Sequence, residues 1–280
     1  MLTPQENHDI RIACRLELLP GDDALDKMLR AKDMGFDAVA LPGRCLDSYA
    51  EGLKALAGRY PLPLSSLSLG FEGSLVSPSA ERRRACRRSL GVLFKLCREL
   101  GVASLNMPPA LTQDNPGSHA DAASRDALLL QQLPEVAAEA DACGVTLLLE
   151  PVNRYESEYL NSLAHAVALC RRAGAANLGI TPDLFHMQME ELNVPAAIAA
   201  AGGWIKCVHV AENTRQEPGI GSMDFLSAFT ALKGIGYSGY LELESRALSG
   251  RPELTLPPAL AFLRRSWAAA GDRSPANCSP

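Results

Sequence analysis

Several things are scarce in this chain of 280 residues. It has five histidines, and Phe, Trp and Tyr together make up only 5% of it. A histidine inside an apolar run is therefore a placement that needs explaining. The eight cysteines include no Cys-x-x-Cys pair, and several sit in apolar runs, such as Cys97 and Cys170. That pattern excludes a disulfide framework and a cysteine zinc site, and fits buried free thiols in a reducing cytoplasm. No stretch reaches the roughly 18 uninterrupted apolar residues of a membrane-spanning helix. The segment from Met1 to His8 has neither a basic nor an apolar region, so no secretory signal is expected. An excess of positive charge is missing too. The net charge is −5, against the basic face that phosphate backbones demand. The cluster Arg82-Arg83-Arg84 with Arg87 and Arg88 has no interleaved aromatics and reads as the solvated face of a helix. No nucleic-acid or membrane partner is expected.

Linker composition is also lacking. Without a Gly/Ser tract or a block of like charge, residues 1–280 read as one domain, with tails at 1–8 and 271–280 expected to fray. Short apolar runs at 10–15, 38–41, 64–69, 103–107, 145–150, 178–182, 205–210 and 240–244 predict eight strands. Helical periodicity predicts eight helices, at 22–34, 48–58, 79–100, 120–143, 162–173, 195–201, 223–234 and 258–270. The strands are nearly all apolar instead of alternating, as in a parallel sheet covered on both faces. An open doubly wound sheet often carries a glycine-rich turn after its first strand, whereas Arg15-Leu-Glu-Leu-Leu-Pro20 has no glycine. Eight strand–helix units in about 260 residues therefore predict an α/β fold, a closed (β/α)8 TIM barrel.

In such barrels the chemistry sits at the carboxyl ends of the strands. Strand five ends Leu147-Leu-Leu-Glu150, strand six runs into Asp183, strand seven carries His209 and strand eight ends Glu242-Leu-Glu244. Glu242 and Glu244 share a side, and the later one is expected nearer the mouth. Each residue alone has an ordinary reading, as a helix cap, a salt bridge or a hydrogen-bonded core histidine. Four on consecutive strands would share one volume. Three carboxylates there repel unless a divalent cation or bound protons neutralise them. An oxygen-rich set with one imidazole suits Mn2+ or Mg2+ ahead of Zn2+, with Co2+ tolerated.

The motifs Glu150-Pro-Val-Asn153-Arg154-Tyr-Glu156, Asp183-Leu-Phe185-His186, His209-Val-Ala-Glu-Asn213-Thr-Arg215 and Gly239-Tyr-Leu-Glu-Leu-Glu244 resemble those of the xylose-isomerase-like barrels, with ketose 3-epimerases (tagatose/psicose 3-epimerase-like) as the nearest branch. The match is dense over 145–245. Before that the chain agrees in element pattern only. The resemblance implies one divalent metal ion, Mn2+ foremost, held by Glu150, Asp183, His209 and Glu244. It sets Glu156, His186 and Arg215 against substrate oxygens, and makes Glu150 and Glu244 the acid/base pair of a carbohydrate isomerase or epimerase acting on a ketose or keto-sugar. A homodimer or tetramer is a family expectation. Aldose–ketose isomerisation, dehydration and eliminative cleavage share the same enolate chemistry and stay open. A non-catalytic sugar-binding barrel would have shed one of the four ligands. In the strand-six motif Leu184 stands where a threonine is more familiar. Arg15, Arg44 and Glu72 sit at early strand ends without an assigned role; Arg15 and Arg44 would suit either an anionic substrate or a structural ion pair.

Overall fold

The computed structural model describes residues 10–56, 58–111 and 121–271, save the side chains of Cys45 and Asp47. The tails expected to fray lie outside the described residues apart from Gly271, as does the expected helix start at residue 120. Eight parallel strands form one sheet: β1 (Arg11–Arg15), β2 (Ala38–Pro42), β3 (Leu64–Ser68), β4 (Ser104–Met107), β5 (Thr146–Leu149), β6 (Leu178–Ile180), β7 (Cys207–Val210) and β8 (Tyr240–Leu243). Their order is 6-5-4-3-2-1-8-7. Parallel bridges from Ile180 to Ile205 and from Asp183 to His209 bring β6 and β7 together and close the barrel.

Nine helices surround the strands among the described residues: α1 (Ala24–Met34), α2 (Asp47–Ala55), α3 (Ala80–Leu100), α4 (Ala122–Asp141), α5 (Leu163–Ala173), α6 (Leu184–Glu190), α7 (Val194–Ala201), α8 (Phe225–Gly234) and α9 (Pro252–Ala269). Two differ from the sequence reading. Pro182 does prevent a helix from following β6 at once. Asp183 then caps a new one, its Oδ1 accepting from the Phe185 N–H at 2.9 Å, so α6 appears where no helix was expected. At the far end α9 starts at Pro252, six residues before the expected start. Pro252 takes the first turn, where its missing N–H costs nothing, and Pro257 and Pro258 lie inside the helix.

Of the arginine cluster expected as a solvated helix face, Arg82, Arg84 and Arg88 are exposed and Arg83 and Arg87 half-buried. Arg87 of α3 reaches Glu135 (2.7 Å) and Glu139 (2.8 Å) of α4.

Register carries the functional side chains to one end. His209 lies opposite Glu242 in the β7–β8 pair, and Ala13 opposite Glu242 in the β1–β8 pair. Arg15 therefore ends β1 beside Glu244, which follows β8. Backbone strain gathers at the same end. The non-glycine residues with positive φ, Leu69 (63°), Leu160 (60°) and Arg215 (59°), all lie in loops after strands, the pattern of strain held at functional faces.

At that rim the loops after β2 and β3 touch backbone to backbone. A Cβ on Gly43 would overlap the Leu69 carbonyl and come within 2.8 Å of the Ser68 oxygen. Gly70, at φ +92°, faces Gly43 from the other side. Gly43→Ala should thus cost roughly 1–3 kcal/mol of stability. It should be seen as a lower denaturant midpoint at unchanged slope; an unchanged midpoint would mean the loops part freely.

Candidate active site

His209 is the centre of the site. It is fully buried, and its Nδ1 faces Glu150 Oε1 at 3.0 Å, Glu244 Oε2 at 2.7 Å and Asp183 Oδ2 at 4.0 Å. One donor atom from each of Glu150, Asp183, His209 and Glu244 lies within 4.8 Å of the others. The sequence places each where an apolar strand stops, so the barrel wall holds the backbone while the side chain turns to the mouth.

The charges are arranged around a deficit. Burial alone would lower the His209 pKa, but Glu244 and Glu150 outweigh it and hold the ring well above its ordinary value. Burial would likewise raise Glu244, yet His209 and Arg15 bring it well below the usual carboxylate range. Arg215 reaches Asp183 Oδ2 at 2.5 Å and Glu244 Oε2 at 3.3 Å. Arg15 bonds the other Glu244 oxygen, and its Nε donates to Glu17 at 2.9 Å. Two guanidiniums thus lie among carboxylates that have converged on one point. Four buried or half-buried carboxylates, counting Glu242 beneath, stand against two arginines. Acids thus outnumber arginines here, an excess of negative charge that a divalent cation would offset. The donor set, three carboxylates and an imidazole, fits such an ion.

Arg215 is delivered by a loop whose shape is over-determined. Its N–H donates to Glu212 O and its carbonyl accepts from the Arg246 N–H, both at 2.8 Å. The buried Glu212 carboxylate accepts from the Gly219 N–H (2.8 Å) and the Met223 N–H (3.1 Å). Glu217, also buried, accepts from the Ser249 N–H at 2.9 Å and so ties this loop to the next. The guanidinium lies 4.7 Å from the centre of the Phe185 ring, a cation–π contact.

His186 is buried on the other flank. Its Nδ1 accepts from the Asn153 backbone N–H at 3.2 Å and lies 2.7 Å from Asn153 Nδ2; its Nε2 is 3.7 Å from Asp183 Oδ2. Asn153 is fixed because its Oδ1 accepts from the Tyr155 and Glu156 N–H groups at 3.0 and 3.2 Å. Glu156 is half-buried and accepts from Asn153 Nδ2 at 3.4 Å.

The structure therefore gathers all seven residues singled out in the sequence. Of the unassigned ones, Arg15 is committed to Glu244 and Glu17. Leu184, the departure in the strand-six motif, is buried in the core. Sequence reasoning missed the bracing by Glu212 and Glu217, which lie in a loop without periodicity. It passed over Asn153 although it quoted it, and left Glu242 without a role. An acid at an inward strand position was the available signal for Glu242.

A barrel with a candidate cation site at its carboxyl-end rim defines the class, and comparison with known proteins gives the family. Residues 28–266 match the family model described as xylose isomerase-like TIM barrel. The chain belongs to that family. It is 28% identical over 251 residues to the 3-dehydro-D-guloside 4-epimerase of Escherichia coli (87% of this chain, 95% of that protein). It is 35% identical over 207 residues to the L-ribulose 3-epimerase of Mesorhizobium japonicum (72% of this chain, 68% of that protein). Among solved structures, an E. coli 3-keto-D-glucoside 4-epimerase in apo form superposes with a TM-score of 0.83 at 27% identity, covering 91% of this chain and 99% of that one. With these relatives the protein is an enzyme of the carbohydrate isomerase and epimerase kind.

A divalent cation should accordingly stabilise the protein. At a hundred times its Kd, Mn2+ adds about 2.7 kcal/mol, and the melting temperature should rise with metal and fall again after chelation. A melting curve indifferent to every divalent cation would contradict a cation site.

Proposed function

We propose that this protein epimerises a ketose or keto-sugar at the carbon beside its carbonyl, with Glu150 and Glu244 as the two proton-handling groups. The observation that carries the reading is their placement: from β5 and β8 they approach the same point, 3.0 and 2.7 Å from His209 Nδ1. Inverting a carbon through a planar enediolate needs a base on one face and an acid on the other. One carboxylate withdraws the proton and the other returns one from the opposite side. A divalent ion held by Glu150, Asp183, His209 and Glu244 would supply Lewis acidity at the substrate carbonyl and raise the acidity of the neighbouring C–H. Mn2+ is the ion this oxygen-rich set favours.

The remaining residues orient and screen. Arg215 lies where positive charge is needed, and with a cation held at the site its guanidinium would be free to stabilise negative charge developing on substrate oxygens. His186 has Nδ1 engaged by Asn153, which leaves Nε2–H to face the site and donate to a substrate hydroxyl. Glu156, beside Asn153, accepts from another. Phe185 presents an apolar face that keeps water from the intermediate. The relative that matches across nearly its whole length acts on a 3-dehydro glycoside, and the one of higher identity acts on a free pentulose, so both substrate types belong in the test.

Metal-loaded protein incubated in D2O with a free ketose and with a 3-keto-glycoside should place deuterium on the carbon beside the carbonyl, with inversion there. Glu150→Gln and Glu244→Gln should each lower turnover by about 10²–10⁴-fold without loss of fold. Deuterium at C1 of a ketose with aldose formed would instead indicate isomerisation, and loss of water dehydration. No exchange with either substrate type would end the enzymatic reading.

A further inference from the structure

Beneath the candidate cation site the barrel interior is polar where layers of Val, Ile and Leu would be expected. Glu242 is fully buried there, pointing inward from β8. Its Oε2 lies 3.3 Å from His209 Nε2 and accepts from Ser66 Oγ at 2.7 Å, while its Oε1 has no partner. A wholly buried carboxylate with half its capacity unused is an expensive thing to keep. An apolar residue would fill the same place in a barrel, so its position under the central histidine calls for a use.

The hydrogen-bond inventory shows which use. Asn106 also approaches His209 Nε2, at 3.2 Å, but its amide nitrogen has two protons. Ser68 Oγ (2.8 Å) and Ser66 Oγ (3.2 Å) also lie within reach of them, while its Oδ1 accepts from Thr181 Oγ1 at 2.6 Å. Ser66 can accept from Asn106 because its own proton goes to Glu242. An amide nitrogen donates and does not accept, so of these two neighbours Glu242 is the one that can take an Nε2–H. On the opposite edge of the ring, Nδ1 faces Glu150, Asp183 and Glu244. An imidazole can ligate a cation through Nδ1 only when its single proton sits on Nε2. A carboxylate accepting from the far nitrogen fixes that tautomer, orients the ring and strengthens the ligand.

We propose that Glu242, set by Ser66 and Asn106, is the positioning residue that holds His209 with its proton on Nε2 and its lone pair towards the cation site. The inference rests on the cation-site reading above and adds to it a residue that never touches substrate. Its effect falls on metal affinity and ring tautomer. The nearest rival arrangement has Cys207, His209 and Glu242, also within 4.8 Å of one another, hold a second ion. It would require His209 to serve both sites at once and the buried Cys207 to give up its proton.

The test titrates wild type, Glu242→Gln and Ser66→Ala with Mn2+, following free Mn2+ by its electron paramagnetic resonance signal. Long-range 15N–1H spectra of 15N-histidine-labelled, Mg2+-loaded protein report the tautomer. Wild type should bind one ion per chain with His209 protonated on Nε2. Glu242→Gln should bind about 10–100-fold more weakly, and Ser66→Ala should lie between the two. If wild type binds no ion, the cation-site reading itself fails. If wild type binds but Glu242→Gln binds equally well, Glu242 only supports the fold and this inference fails alone. Two ions per chain, reduced to one in Cys207→Ser, would make Glu242 a ligand and overturn it. Should Glu242→Gln not fold, the wild-type spectrum still decides, because a loaded His209 protonated on Nδ1 contradicts the proposal.

Discussion

The rest of this structure answers one electrostatic constraint: carboxylates taken out of water and aimed at the same point. Glu150, Asp183 and Glu244 leave the ends of three strands and meet around His209 Nδ1. Like charges at such separations in a poorly polarisable interior cannot all persist without compensation. The protein compensates with what it has, pressing Arg215 onto Asp183 and Glu244 and Arg15 onto Glu244, while the acids hold the His209 pKa above its ordinary value. A crowded anionic pocket is thus held together by borrowed positive charge.

The scaffold makes the constraint bearable. Parallel strands fix the backbone of each acid, and the two closing bridges set Asp183 beside His209. The strain sits in the loops on the same face, at Leu69, Leu160 and Arg215. Arg215 adopts a left-handed conformation that a side chain ordinarily avoids. It is kept there by backbone bonds to Glu212 and Arg246 and by two buried glutamates that satisfy loop N–H groups. Asp183 does double duty, capping α6 with one oxygen and facing the site with the other. Fold and chemistry are therefore joined at single atoms, and substitutions here should move stability and metal affinity together.

Much of this could be read in the sequence, for reasons that differ by element. The barrel was legible because eight apolar runs alternate with helical periodicity, a pattern few architectures satisfy. The four converging donors were legible because a charged group ending an apolar strand is conspicuous in a protein this poor in histidine. Helix α6 was not, since its seven residues are too few to show helical periodicity. The start of α9 was missed because Pro257 and Pro258, which ordinarily interrupt a helix, lie inside this one. Arg15 could not be decided from sequence: only the β1–β8 register shows that it ends beside Glu244. Glu212 and Glu217 carry no periodic signal, because their partners are backbone amides brought close by the loop itself.

The central claim is that four strand-end side chains form a cation site in which Arg215 stands for the missing charge. A crystal structure of the Mn2+-soaked protein, with anomalous data collected at the manganese edge, tests it most directly. The account predicts a single anomalous peak bounded by Glu150, Asp183, His209 Nδ1 and Glu244, with the Arg215 guanidinium withdrawn from Asp183. An anomalous map empty at this rim, with Arg215 still seated on Asp183 in saturating Mn2+, would contradict it.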